Sequence, residues 1–170
     1  MAGDHGLLHP AVAAALGAHG IVADVLPCDP ELADTTAFCE HYGFALDDAA
    51  NTILVTSKKV DPPQRAVCVV LGTMRLDVNR VVRERLGVRR VSFADADTTV
   101  EVTGMQIGGV TAPGIVGLPL WVDAAVLGRE RVVMGGGNRS SKIVLDPREL
   151  LKLPVVEVVD GLATRSSTAD

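Results

Sequence analysis

The spacing of apolar and polar residues along the chain predicts four short helices. Each has a capping residue or a proline at its start and a glycine or proline near its end. The pattern predicts these helices over residues 10–20, 35–42, 78–86 and 148–153. Residues 95–102 form a short helix or a turn, and residues 104–119 hold too much glycine and proline for a regular element.

Apolar runs bounded by turn residues predict seven strands and a further edge strand. The run over residues 66–71 is continuous, which is typical of a strand buried on both faces. The others cover residues 21–26, 52–55, 88–93, 120–122, 131–134 and 141–145, with the edge strand over 155–159. Because helices and strands follow each other in irregular order, we expect an α/β protein with a mixed sheet.

The chain contains no internal repeat and no linker, so residues 1–170 are expected to form one domain. Its core should cover about residues 8–160, with frayed ends that include residues 161–170. Hydrophobic residues make up 48% of the chain and aromatic residues only 3%. The core must therefore consist mainly of valine, leucine, isoleucine and alanine.

The net charge of −5 does not favour nucleic-acid binding, but the charges are unevenly placed. Six arginines lie between Arg75 and Arg90, where only Asp77 and Glu84 oppose them. Such a patch could contact phosphates, and a solvated helix face is the alternative interpretation.

Several classes of protein are disfavoured by features that the chain lacks. The N-terminus has no secretory pattern, and no apolar run approaches the roughly 20 residues that span a bilayer. Three cysteines without a CxxC pair argue for a cytosolic protein without disulfides or structural zinc. His5 and His9 have no cysteine or carboxylate ligands nearby, so no metal site is expected. No nucleotide fingerprint is present, so we expect no cofactor.

Two glycine-rich stretches, residues 108–114 and 135–142, are the candidate binding loops. Glycine allows backbone N–H groups to approach a ligand closely, which suits carbonyl or phosphate oxygens. Tight turns between strands are the alternative interpretation.

Taken in order, several segments resemble the YbaK/prolyl-tRNA editing family over about residues 8–160. They are HPAVAAALGAHG with IVADVLPCDP, then ANTILV, then TGMQIGGVTAP with the family's GxxxP pattern at residues 109–113, and finally VVMGGGNRSSKIVLDPRELLKL. The resemblance implies a mixed, mostly antiparallel, barrel-like sheet flanked by helices. It also implies hydrolysis of the ester between a small amino acid and the 3′ end of tRNA, without a cofactor. Relatives act on proline tRNA mischarged with cysteine or alanine, either free-standing or beside a synthetase.

The same resemblance implies which residues form the site. Gly109 and its neighbours would offer backbone N–H groups to the ester carbonyl, and Thr52 matches a threonine that lines the family's pocket. The other residues implied to contact the substrate are Gly108, Val110, Thr111, Pro113, Gly136, Gly137 and Arg139.

Two charged positions depart from the family pattern. Asn51 stands where the family has a lysine, and Lys142 stands where it has an aspartate. One hypothesis is that Lys142 restores the missing cation from a neighbouring strand and donates a hydrogen bond to Asn51. Alternatively, Lys142 is a surface lysine on an edge strand, and the protein binds aminoacyl-tRNA or a synthetase without turnover. A small-molecule hydrolase and a homo-oligomer both remain open.

Overall fold

The computed structural model describes residues 4–165, which contain four α-helices and ten strands. The helices are α1 (Pro10–His19), α2 (Thr35–Tyr42), α3 (Arg83–Leu86) and α4 (Ala96–Thr103). The strands are β1 (Asp24–Pro27), β2 (Ala50–Ser57), β3 (Arg65–Leu71), β4 (Met74–Leu76), β5 (Val91–Phe93), β6 (Leu120–Asp123), β7 (Val132–Gly135), β8 (Ser141–Leu145), β9 (Val156–Val159) and β10 (Ala163–Arg165).

The strands pair in three sheets, and most neighbours are antiparallel. The largest sheet has the order β5-β2-β3-β6-β9, in which only the β3–β6 and β6–β9 pairs are parallel. A second sheet has the order β1-β8-β7, and β10 pairs with β4. A single parallel bridge between Ala49 and Val133 brings β7 beside the start of β2. The expected mixed, mostly antiparallel fold is confirmed, and the sheets within residues 4–165 do not close into a barrel.

Local sequence signals account for the longer helices. Pro10 occupies the first turn of α1, and His9 Nδ1 accepts a hydrogen bond from the N–H of Ala11 at 3.1 Å. Gly20 and Gly43 end α1 and α2 with left-handed φ angles of 64° and 79°. Glycine adopts this conformation at little cost, so both helices end where the sequence predicts.

The alternation of side chains along β8 decides where Lys142 lies. Ile143 and Leu145 point into the largest aliphatic core, which also buries Val12 and Leu16 of α1. Val144 belongs instead to a smaller cluster, which Phe38 and Cys39 of α2 share. Lys142 is two residues from Val144, so it lies on this second face, under α2.

The structure differs from the sequence prediction at the short elements. The pairing of β10 with β4 was missed, and residues 163–165 are not a frayed tail. They are held because Leu162 and Ala163 are buried and Asp123 accepts a hydrogen bond from the N–H of Ala163. Residues 166–170 of that predicted tail, and residues 1–3, lie outside the described part of the chain.

Two predicted helices have a different form in the structure. The segment Pro147–Lys152 is a 3-10 helix, which is typical of such short pieces. The predicted helix over residues 78–86 begins with a π-helical turn, Val78–Val82, and becomes α-helical only at α3.

We expect thermal unfolding to be one transition whose midpoint is the same with and without EDTA or dithiothreitol. Cys28, Cys39 and Cys68 are all free and buried, and burial raises the pKa of Cys68 to about 12. Residues 4–165 contain no group of three or more His, Cys, Asp or Glu side chains that could hold a metal ion. Differential scanning calorimetry tests this, and a fall of several degrees with EDTA would reveal a structural metal.

Candidate active-site cleft

A cleft of about 340 Å³ opens between α2, the first half of β2, and the ends of β7 and β8. Its rim includes Asp34 and Thr35 at the start of α2, and its apolar wall includes Phe38 and Val133. The loop that follows α4 forms a further wall through Ile107, Gly108 and Val110.

Five of the residues implied by the family resemblance meet in this cleft. They are Asn51, Thr52, Gly108, Val110 and Lys142. The two stretches that contribute Asn51 and Lys142 are more than 90 residues apart in the sequence, so only the fold brings them together.

Lys142 is the charged group at the centre of the site. Its side chain is 5% exposed, and its Nζ donates hydrogen bonds to the carbonyl oxygens of Ala33 at 2.6 Å and Gly108 at 3.1 Å. The Nζ also lies 5.3 Å from the centre of the Phe38 ring, within the range of a cation–π contact. Within residues 4–165 no carboxylate lies within 4.0 Å of this amine. An ammonium has three N–H donors, so one is left for a ligand.

Burial lowers the pKa of Lys142 below its ordinary value. The Cys28 thiol and the Asp34 carboxylate oppose this effect by raising the pKa, and Arg139 adds to the lowering. The cleft therefore contains a poorly solvated positive charge, which favours an anionic or strongly polarised partner.

Two details of the Lys142 hypothesis are wrong. β8 does not neighbour β2, because β7 lies between β8 and the start of β2. The alternative, a surface lysine on an edge strand, is wrong as well, because β8 is the central strand of its sheet and Lys142 is buried. Asn51 also makes no hydrogen bond to Lys142, because its Oδ1 accepts one from the Thr35 hydroxyl at 2.6 Å. Lys142 thus reaches the cleft from β8, beyond β7, and its hydrogen bonds go to backbone carbonyls.

Asn51 and Thr52 present polar groups that have no partner in the described chain. With its oxygen used by Thr35, Asn51 keeps its amide N–H groups free within residues 4–165. The Thr52 hydroxyl is buried and also lacks a hydrogen-bond partner there. A buried polar group without a partner is costly, so the Thr52 hydroxyl suits a ligand or an ordered water. The Asn51 amide lies beside it and is available to the same ligand.

Gly109 lies behind the cleft wall and does not line it. Its N–H donates to the carbonyl of Gln106 at 2.9 Å, and its own carbonyl accepts from Gly137 at 2.7 Å. The expectation that this N–H is free for an ester carbonyl does not fit the geometry. The flanking amides of Gly108 and Val110 donate no hydrogen bond to groups within residues 4–165, and both residues line the cleft.

The other glycine-rich residues allow close packing behind the cleft. A Cβ on Gly136 would lie 2.1 Å from Ser141 Oγ, and one on Gly137 would lie 2.4 Å from His9 Cβ. Thr111 and Pro113 are buried and do not line the cleft. Contrary to expectation, these four residues support the site and do not face a ligand in it.

Arg139 also lies outside the lining but connects the segments that form it. Its guanidinium donates to the carbonyls of Pro30 at 2.9 Å and Ile107 at 2.8 Å, and lies 3.5 Å from the Asp34 carboxylate. Arg139 therefore holds the start of α2 close to the 107–110 loop.

Sequence reasoning missed the contribution of α2 to the cleft. The helix over residues 35–42 was predicted, but none of its residues was assigned to the site. Their role depends on contacts with β8, about a hundred residues later, and no local pattern signals such a contact.

We expect Gly109→Ala to destabilise the protein by about 2–3 kcal/mol, because the added Cβ would lie 2.0 Å from the backbone oxygen of Asn138. The cost is a steric clash and not backbone strain, because the φ of Gly109 is not positive. Gly17→Ala is the matched control, since its Cβ meets nothing within 4 Å. In helix α1 it should stabilise by about 0.5–1 kcal/mol. Urea unfolding measures both, and equal stabilities would contradict the packing described for Gly109.

We expect the stability of the wild type relative to Lys142→Met to rise as the pH increases from neutral towards 10. Because the pKa of Lys142 is lowered in the folded chain, the unfolded chain binds this proton more tightly. The charged Lys142 side chain therefore destabilises the fold fully at pH values below its pKa in the folded chain. This destabilisation disappears as the pH rises towards the ordinary lysine pKa of about 10.4. Denaturant titrations at several pH values measure the free energy of unfolding of the wild type minus that of Lys142→Met. A difference that falls as the pH rises would contradict the prediction.

Comparisons with known proteins identify the family of this chain. The chain matches the family model described as the aminoacyl-tRNA editing domain over residues 29–153. Hypothetical protein APE2540 superimposes with a TM-score of 0.79 at 25% identity, covering 90% of this chain and 99% of that one. A candidate trans-editing enzyme for prolyl-tRNA synthetase superimposes with a TM-score of 0.76 at 23% identity, covering 94% and 99%. The chain thus belongs to the aminoacyl-tRNA editing domain family.

Proposed function

We propose that this protein is a free-standing deacylase, which hydrolyses the ester between a wrong amino acid and the 3′ end of tRNA. The observation that carries the proposal is the Lys142 ammonium, buried in the cleft with one N–H donor left over. The cytosolic location expected from the sequence is part of this proposal.

The cleft offers several donors where the ester carbonyl would develop negative charge. The amides of Gly108 and Val110, the third N–H of Lys142 and the Asn51 amide are the available groups. Donors held in a water-poor site stabilise an oxyanion strongly, because they need not reorganise during the reaction. A water molecule attacks the carbonyl carbon, the bond from that carbon to the ribose oxygen breaks, and the proton of the water ends on the ribose oxygen.

The size of the cleft favours a small amino acid. Its volume of about 340 Å³ is at the lower end of the usual range for ligand pockets. A tRNA for proline charged with alanine or cysteine is the specific substrate that we propose. The structural neighbour described as a candidate trans-editing enzyme for prolyl-tRNA synthetase supports this choice.

A binding module without turnover is the second candidate function. It is favoured by Asn51 in place of the family lysine and by the internal hydrogen bond of the Gly109 N–H. Such a module would hold aminoacyl-tRNA, or would dock beside an aminoacyl-tRNA synthetase, and would protect the ester instead of cleaving it.

We expect Lys142→Ala to lower the deacylation rate of the best substrate by about 100-fold or more, because an oxyanion donor is lost from a buried site. The assay follows the release of labelled amino acid from a panel of mischarged tRNAs. Lys152→Ala is the control, since this lysine on the closing 3-10 helix pairs with Glu149 and does not line the cleft.

The outcomes separate the two candidates. Hydrolysis by the wild type and by Lys152→Ala, but not by a folded Lys142→Ala, supports the deacylase. Tight binding of charged tRNA with no release by the wild type supports the binding module. Full activity in Lys142→Ala would remove the lysine from the mechanism.

A further inference from the structure

A second concave surface, the basic groove, lies at the end of β2 that is farther from the cleft. Its volume is about 670 Å³. Lys58 and Lys59 contribute one side from the β2–β3 hairpin, and Arg89 and Arg90 contribute the other side from the segment that follows α3.

The groove contains four basic side chains and no acidic one. None of the four lies within 4.0 Å of a carboxylate among residues 4–165, and all four are exposed. Other arginines of the same part of the chain are paired, Arg80 with Asp77 and Arg85 with Glu157. Of the arginine-rich segment, the groove thus contains the unpaired Arg89 and Arg90, and the hairpin adds two lysines.

The groove is connected to the cleft by two strands. The N–H of Lys58 donates to the carbonyl of Arg90 at 2.9 Å, just beyond the point where β2 and β5 pair. Along β2, Thr52 of the cleft is six residues from Lys58, and Ala94 of the cleft is four residues beyond Arg90. At about 3.3 Å per residue these separations are roughly 20 Å and 13 Å.

We propose that the basic groove binds the backbone phosphates of the tRNA whose 3′ end enters the cleft. This inference rests on the proposed function of the cleft. Four unpaired cations in one groove of an acidic protein repel each other, and closely spaced phosphates relieve that repulsion. The distance to the cleft is that of a few nucleotides, so one strand can occupy both places.

The test uses an RNA hairpin with a single-stranded 3′ end and no amino acid, with binding measured by fluorescence anisotropy at several salt concentrations. The groove variant is Lys58→Gln/Lys59→Gln/Arg89→Gln/Arg90→Gln. The control variant is Arg129→Gln/Arg131→Gln/Arg148→Gln/Lys152→Gln, which removes the same four charges from residues that pair with carboxylates elsewhere.

We expect the groove variant to bind at least about tenfold more weakly at low salt, and its salt slope to flatten by about 0.7–0.9 per lost phosphate contact. The control variant should stay within about twofold of the wild type. Melting temperatures show whether each variant is folded. If the quadruple variant is unstable, the double variant Lys59→Gln/Arg89→Gln replaces it and should change the salt slope by about half as much.

Three results would overturn the proposal: wild-type affinity and slope in the folded groove variant, equal losses in both variants, or no RNA binding by the wild type. Polyglutamate or phosphatidylserine vesicles that bind as tightly as the RNA would overturn the assignment to RNA. Because the probe carries no ester, a failure to deacylate tRNA would count against the proposed function alone.

Discussion

The hydrogen bonds from Lys142 to two backbone carbonyls determine the shape of the cleft. An ammonium removed from water needs compensating partners, and here they are Ala33 just before α2 and Gly108 in the loop after α4. These segments are far apart in the sequence, so the buried charge joins two walls that no local interaction would hold together. Arg139 reinforces the same connection from outside through Pro30 and Ile107.

Behind the cleft, glycine allows backbone to pack directly on backbone. The Gly137 N–H reaches the Gly109 carbonyl at 2.7 Å, and a Cβ on Gly135 would lie 2.4 Å from that same oxygen. The sequence analysis expected these glycines to let backbone approach a ligand, and in the structure they let the two stretches approach each other. A glycine pattern contains no information about its partner, so this could not be predicted. Of the three consecutive residues implied by the resemblance, Gly108 and Val110 line the cleft and Gly109 does not.

Elements that local interactions form were predicted accurately, and elements that need pairing with a distant segment were not. Helix α1 and strand β3 were predicted well, because a proline, a glycine and an apolar run act locally. Strands β4 and β10 have three residues each and exist only through their pairing, so no local pattern marks them. Lys142 was identified as a candidate because it stands where the family resemblance implies an aspartate. Its burial and its partners depend on α2, and those could not be predicted.

The family resemblance implies an exchange of charges between positions 51 and 142, and such an exchange has an electrostatic rationale. Two ammonium groups in one cleft of about 340 Å³ would repel each other, and each would be pushed towards its neutral form. A neutral residue at position 51 removes this conflict, and the Asn51 side chain still binds Thr35 at the mouth of the cleft. The positive charge in the cleft of this chain comes from β8, and β2 contributes the neutral Asn51. In this arrangement the cation is fixed by backbone carbonyls, which cannot lose their hydrogen-bonding capacity by titration, so its position does not depend on the protonation of a carboxylate partner.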